Sequence, residues 1–314
     1  MRPLLVILLI NICSSINAQK LTWPGKLLPS DTASLFVVSD ALSNRDFTIS
    51  PNGDEIFYTI QQRDFSISTI LRLYKKNGTW GVPEVASFSG KFNDLEASFS
   101  PDGNRIYFSS NRPSSAIDST NDFDIWYVNR TAAGWSEPVH AGFVINSPGN
   151  EFYPSVAKSG NIYFTTEFKN GKGKEDIIMC EWKNGAYFPP VSLPEAINSK
   201  GYEFNAFIDP DEQFILFTAY GRADDMGHGD IYMSRKDASG RWLPAKNLGP
   251  KVNSTALDYC PYISPDKKIF FFSSNRILNQ TPFAQPQSYM RIAGMMNSAG
   301  NGLDDIYWMS WKPD

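Results

Sequence analysis

Apolar and polar positions along this chain fall into short blocks with the character of strands. Runs such as Ile106-Tyr-Phe, Ile162-Tyr-Phe and Ile215-Leu-Phe are apolar without alternation, which predicts strands covered on both faces. Ahead of them stand Asn52-Gly53, Asp102-Gly103 and Ser159-Gly160, pairs that supply the positive φ angles of a tight hairpin turn. The blocks recur. Phe47-Thr-Ile-Ser-Pro-Asn-Gly-Asp-Glu-Ile-Phe-Tyr-Thr59 matches Ser98-Phe-Ser-Pro-Asp-Gly-Asn-Arg-Ile-Tyr-Phe-Ser109, and further copies begin at Ser155, Phe207 and Tyr262. Successive copies stand about 50 to 57 residues apart, room for four short strands.

A third strand opens with Asp-Ile at Asp124, Asp176, Asp230 and Asp305, and the first copy puts Thr69-Ile there. A second hairpin turn follows at Asn77-Gly78, Ala133-Gly134, Asn184-Gly185 and Ser239-Gly240. After it come an aromatic and a proline: Trp80 and Pro83, Trp135 and Pro138, Tyr187 and Pro190, Trp242 and Pro244. Proline suits an outer edge strand, where a missing N–H costs least. Each unit therefore reads as a four-stranded antiparallel meander. Stacking such sheets around an axis covers both apolar faces. The fifth unit stops after its third strand, while Trp23-Pro24 near the other end supplies an aromatic–proline pair. The expectation is a five-bladed β-propeller, with six blades as the alternative. The strand holding Trp23 is expected to complete the last blade by pairing with the one holding Ile306.

The Ser-Pro-Asp-Gly turn, the Phe-Ser-Ser-Asn-Arg strand ends (Phe108–Arg112, Phe271–Arg276) and the Asp-Ile-Tyr strand resemble the WD-like repeats of TolB-type β-propellers, over residues 43 to 310. The later copies depart from the pattern, with Lys158 in place of proline and Glu212 in place of glycine. The resemblance implies a propeller, and among relatives of this kind mostly periplasmic binding or scaffold modules; others are peptidase propeller domains or lyases. It implies the propeller half of a TolB-like protein, without that protein's separate α/β domain.

Composition narrows the setting. A net charge of −4 with both signs interspersed gives no nucleic-acid surface. Aromatic content of 14% with 22 Gly and 21 Pro favours strands and tight turns over helices. Arg2, the apolar stretch Leu4–Cys13 and the small residues up to Ala18 read as a secretory signal cleaved after Ala18, too short to span a bilayer. The rest, residues 19–314, is expected to be one propeller domain, periplasmic or secreted and not membrane-spanning. Cys180 and Cys260 fall in different repeats, so two buried free thiols are expected.

Four acids recur before the turn: Asp94, Glu151, Glu203 and Asp258, with Asn44 in the first copy. Reflection through the turn places Asp94 opposite Asn111 beside Arg112, and Asp258 opposite Asn275 beside Arg276; Arg222 and Lys169 stand near the other two. Repeated intrablade ion pairs are the bland reading. The sharper one is a ring of charged groups at the channel mouth, open to a ligand, with His228 on the same face. The Asp-Ile aspartates are expected to bond nearby backbone or serine. Insertions at 112–123, 167–175, 221–229 and 277–303 emerge from the acid face. The last, read as a loop without secondary structure, carries Phe283, Tyr289, Met290, Met295 and Met296, a partner surface expected to fold over the mouth.

Catalytic motifs are sparse. The two histidines, His140 and His228, lack a second ligand at metal-binding spacing, and no nucleophile elbow or phosphate loop is present. No cofactor is expected; calcium near Asp118, Asp122 and Asp124 is the one metal the spacing suggests. The reading favours a non-catalytic binding or scaffold propeller of the cell envelope, recognising a protein or envelope component through its loop-rich face. The alternative is a carbohydrate-active lyase or hydrolase using carboxylates at the channel mouth, with a saccharide as ligand and Glu167 among the acids to test.

Overall fold

The computed structural model describes residues 29–36, 38–117, 119–278 and 283–312. Its strands follow the repeats. Blade 1 comprises Ser43–Ile49, Glu55–Gln61, Ser68–Lys76 and Glu84–Val85, and blade 2 Asp94–Phe99, Arg105–Ser110, Asp124–Thr131 and Val139–His140. Blade 3 takes Glu151–Val156, Ile162–Thr166, Asp176–Cys180 and Val191–Ser192. Blade 4 takes Tyr202–Ile208, Phe214–Tyr220, Asp230–Arg235 and Lys246–Asn247. In blade 5, Asp258–Ile263, Ile269–Ser274 and Asp305–Ser310 are joined by Ser34–Leu35 from the other end of the chain.

Turn chemistry sets the hairpins. Gly53, Gly103 and Gly160 hold positive φ at the first turn, and where the repeat lacks glycine Glu212 and Lys267 adopt φ 55° in the same place. The outer strands are two residues long and follow their prolines closely, which limits the unpaired edge.

Packing shows how the ring closes. Each of five apolar clusters joins two neighbouring blades. Phe57 and Ile70 meet Phe99 and Phe108 between blades 1 and 2, for example, and Leu216 and Ile231 meet Phe270 and Tyr307 between blades 4 and 5. The closing cluster brings Phe36, Phe47 and Ile56 against Phe271, Ile306 and Trp308. There Phe47 stacks on Phe271 at 4.0 Å between ring centroids, with Phe36 edge-on to both. The five-bladed expectation holds.

Three details correct the sequence reading. Ser34–Leu35 pairs with Trp308 and Tyr307, and the Phe36 N–H donates to the Ile306 carbonyl at 2.7 Å. The closing strand thus lies beyond Trp23, which falls outside the described residues. Ser34 precedes Asn44 by the interval that separates Glu84 from Asp94 in the next blade link. Second, Asp94 sits opposite Ser110, not Asn111, and Asp258 opposite Ser274, not Asn275, because each inner strand carries a β-bulge. Third, the last insertion contains a helix, Tyr289–Met296, whose N-cap Ser288 side chain accepts from the Arg291 N–H. Among the described residues no helix is long and apolar enough to cross a membrane.

Candidate functional site

The bulges build the centre of the molecule. In every blade one bulge residue has left-handed backbone: Asp46, Glu96, Tyr153, Asn205 and Cys260, with φ between 50° and 62°. That conformation costs a non-glycine residue roughly 1 kcal/mol or more. All five are buried. Their contacts cross the ring, which puts them on its axis. Arg45 donates to Asp46 at 2.8 Å and to Glu96 at 2.9 Å. Asn205 of blade 4 donates to Glu96 of blade 2 at 3.2 Å, and the Tyr153 hydroxyl of blade 3 donates to the Pro261 carbonyl of blade 5 at 3.1 Å. The Tyr153 N–H reaches Glu96 at 2.7 Å, and the Cys260 thiol donates to Asp46 at 2.9 Å. Burial, with Asp46 adding to it, pushes the Cys260 thiol well up and keeps it a donor. Burial also raises the Glu96 carboxyl, Asp46 adds to the rise and Arg45 opposes it. The cluster is a polar plug in the channel.

Above the plug a cavity of about 450 Å³ opens at the loop-rich face. Arg45, Glu96 and Asn205 floor it, and Phe123, Phe152 and Phe204 stand in its wall beside the amides of Gln61, Asn111 and Asn121. Phe123 and Phe152 lie 5.2 Å apart between ring centroids. Aromatic faces beside amide donors and acceptors, at this volume, make a pocket for a part-apolar, hydrogen-bonding group.

The sequence-predicted residues sit elsewhere. Asp94, Glu203 and Asp258 have no exposed surface. Each is paired within its blade: Arg112 to Asp94 at 2.6 Å, Arg222 to Glu203 at 3.0 Å, and Arg276 to Asp258. The same guanidinium groups donate to the carbonyls of Phe88, Ile197 and Val252, in the link from the preceding blade. Glu151 is also wholly buried, held by Ser147 and Thr166, and Lys169 is exposed and makes no ion pair with it. His228 is exposed. Tyr289, Met290 and Met296 are exposed and Met295 half-buried on the helix, while Phe283 packs under Arg291. None of these five lines the mouth cavity.

The Asp-Ile aspartates bond locally: Asp176 accepts from the Lys172 and Gly173 N–H groups, Asp230 from Met226 and Asp305 from Gly300. Asp124 instead meets His140 at 3.1 Å. For calcium, Asp118 lies outside the described residues, and among those described no three His, Cys, Asp or Glu stand close enough to share an ion. Cys180 and Cys260 are free and buried.

Two features escaped the sequence reading. The bulge residues differ in every blade and the residues beside them vary too, so self-comparison cannot find them. The other is an interblade stitch. Asn146, Asn198 and Asn253 each bond both the N–H and the carbonyl of the isoleucine after Asp in the preceding blade, at Ile125, Ile177 and Ile231. The serine after each asparagine then caps the ring acid, as Ser199 does Glu203 at 2.6 Å. The repeated Asn-Ser pair was its signal.

No protein-family model and no curated protein matches the chain. Solved structures do resemble it. A glycoside hydrolase superposes with a TM-score of 0.56 at 8% identity, over 91% of this chain and 93% of that one. TolB from Acinetobacter baumannii superposes with a TM-score of 0.49 at 14% identity, over 85% of this chain, which spans 54% of TolB's length. The alpha-L-arabinofuranosidase from Podospora anserina, solved with cellotriose, gives 0.49 at 13% identity over 91% of this chain and 95% of that one. At such identities the likeness is one of fold alone, and the chain is a five-bladed β-propeller.

Proposed function

We propose that the chain is a non-catalytic binding propeller of the cell envelope, which takes part of a protein or envelope ligand into the channel mouth on its loop-rich face. The observation that carries this reading is the mouth itself: an aromatic and amide wall over a closed polar floor. Three of the four repeated acids support it by what they leave out, since the carboxylates of Asp94, Glu203 and Asp258 are spent on arginines of their own blades. The signal expected in residues 1–18 gives the envelope location, and that segment lies outside the described residues. Affinity capture from the envelope fraction of the source cells tests the reading. Wild type should retain a ligand that the Phe152→Ala/Phe204→Ala variant loses; equal retention by both overturns it.

A second reading, a carbohydrate-active lyase or hydrolase, draws on one specific feature. Glu96 and Glu175 line the same cavity and burial raises both carboxyls. Glycoside chemistry uses two such groups about 5–9.5 Å apart. The glycoside hydrolase that shares the fold makes polysaccharides the substrates to screen. Activity abolished by Glu175→Gln would replace the binding reading with this one.

A further inference from the structure

Blades 2, 4 and 5 share an arginine socket with three parts. The ring acid binds the guanidinium; the carbonyl six residues before that acid accepts from it; and a phenylalanine of the second strand lies beneath it. In blade 2 these are Asp94, Phe88 and Phe108, with Arg112 5.0 Å from the ring centroid. Blade 4 uses Glu203, Ile197 and Phe217 around Arg222, at 5.2 Å. Blade 5 uses Asp258, Val252 and Phe272 around Arg276, at 5.3 Å.

Blade 3 keeps the socket and lacks the arginine. Glu151, Ile145 and Phe164 occupy the three equivalent positions, but Phe168 stands at the chain position of Arg112 and Arg276. Among the described residues no cation lies within ion-pair distance of Glu151. Glu151, Ile145 and Phe164 instead all line a cavity of about 920 Å³ between blades 2 and 3. Among the described residues its remaining charges are Asp122, Asp124 and Glu167 against Lys169, an acidic balance.

We propose that this cavity binds a guanidinium or alkylammonium group, which a ligand inserts where the other blades carry their own arginine. The site is separate from the channel mouth and does not depend on how the mouth is used. An acid, a carbonyl and an aromatic face together select a planar or compact cation with an apolar stem. The state of Glu151 agrees. Burial pushes its carboxyl up to about 7, Ser147 pulls it part of the way back and Asp124 adds to the rise. A bound cation would hold it ionised, as the arginines hold its counterparts.

Saturation-transfer NMR and calorimetry with N-acetyl-L-argininamide and a Gly-Arg-Gly peptide test the proposal, with the neutral citrulline counterparts as controls. The arginine probes should bind the full protein, and the citrulline ones at least about tenfold more weakly, since a desolvated charge pair is worth more than 1.4 kcal/mol. Glu151→Gln should weaken binding by a similar factor. Phe168→Arg should fill the socket from within, abolishing binding and raising the melting temperature. Binding of both probes identifies a small cation as sufficient; binding of the peptide alone identifies a protein side chain. Binding of neither probe, or equal binding by wild type and Glu151→Gln, overturns the proposal. If Phe168→Arg does not fold, Glu151→Gln decides alone.

Discussion

Two positions on each inner strand, separated by one residue, run through the five repeats in opposite ways. The acid position reads Asn44, Asp94, Glu151, Glu203 and Asp258; the bulge position reads Asp46, Glu96, Tyr153, Asn205 and Cys260. At the first, Asp94, Glu203 and Asp258 each hold an arginine within their own blade, so repetition costs nothing. At the second, the side chains meet on the axis. Five copies of one ionisable residue there would bring like charges together in a medium where each interaction is strong. Difference between repeats is what lets Arg45 serve Asp46 and Glu96, and lets Asn205 and Tyr153 complete the plug. Repeated residues build the ring, and unrepeated ones give its centre chemistry.

The largest test of that contrast removes a repeated cation. Arg112→Met leaves Asp94 buried and unpaired and should cost about 3–5 kcal/mol in urea unfolding. Adding Asp94→Leu should recover most of the loss, since an apolar pair of similar volume needs no counterion. A loss under 1 kcal/mol would make the acid position dispensable. Phe36→Ala comes next, at about 3 kcal/mol, because the ring fills the seam between blades 1 and 5. A smaller loss would mean that the closing seam adds little.

Glu151 breaks the pattern within the repeated position, and pH sharpens it. Its carboxyl is raised from 4.5 to about 7 by burial, so the folded state holds an extra proton between those values. Stability from this group is full below pH 4.5, falls as pH rises through 7 and is level above. Glu151→Gln escapes that loss. Its gain should grow from near zero at pH 4.5 to ~1–2 kcal/mol at pH 8 in thermal unfolding. The smallest effect belongs to the helix: Met290→Ser/Met296→Ser should move stability by less than about 0.5 kcal/mol, since both side chains are exposed.

Much of the fold could be read from the chain because five copies of one turn and one Asp-Ile strand agree. The acid–arginine partners were also legible, although the opposing residue was misplaced by one. The bulge residue causes that shift, since it adds to the inner strand one residue that reflection through the turn does not count. The aromatic–proline pair points to Trp23 for the closing strand, whereas the strand that pairs with Trp308 and Tyr307 is Ser34–Leu35. The mouth was out of reach for a different reason. Phe152 and Phe204 each follow the ring acid of their blade, but Phe123 precedes the third strand of another, and only the ring brings the three together.

Convergence of unrepeated residues on the axis can be measured with one covalent bond. Cys260 already touches Asp46, 214 residues away in sequence and across the seam between blades 1 and 5. In Asp46→Cys under mild oxidation, an intramolecular disulfide with Cys260 should form in high yield, seen by mass spectrometry of the linked peptides and by faster non-reducing migration. Two thiols that stay separately reactive in the folded protein would mean that the blades do not meet there, and the plug with them.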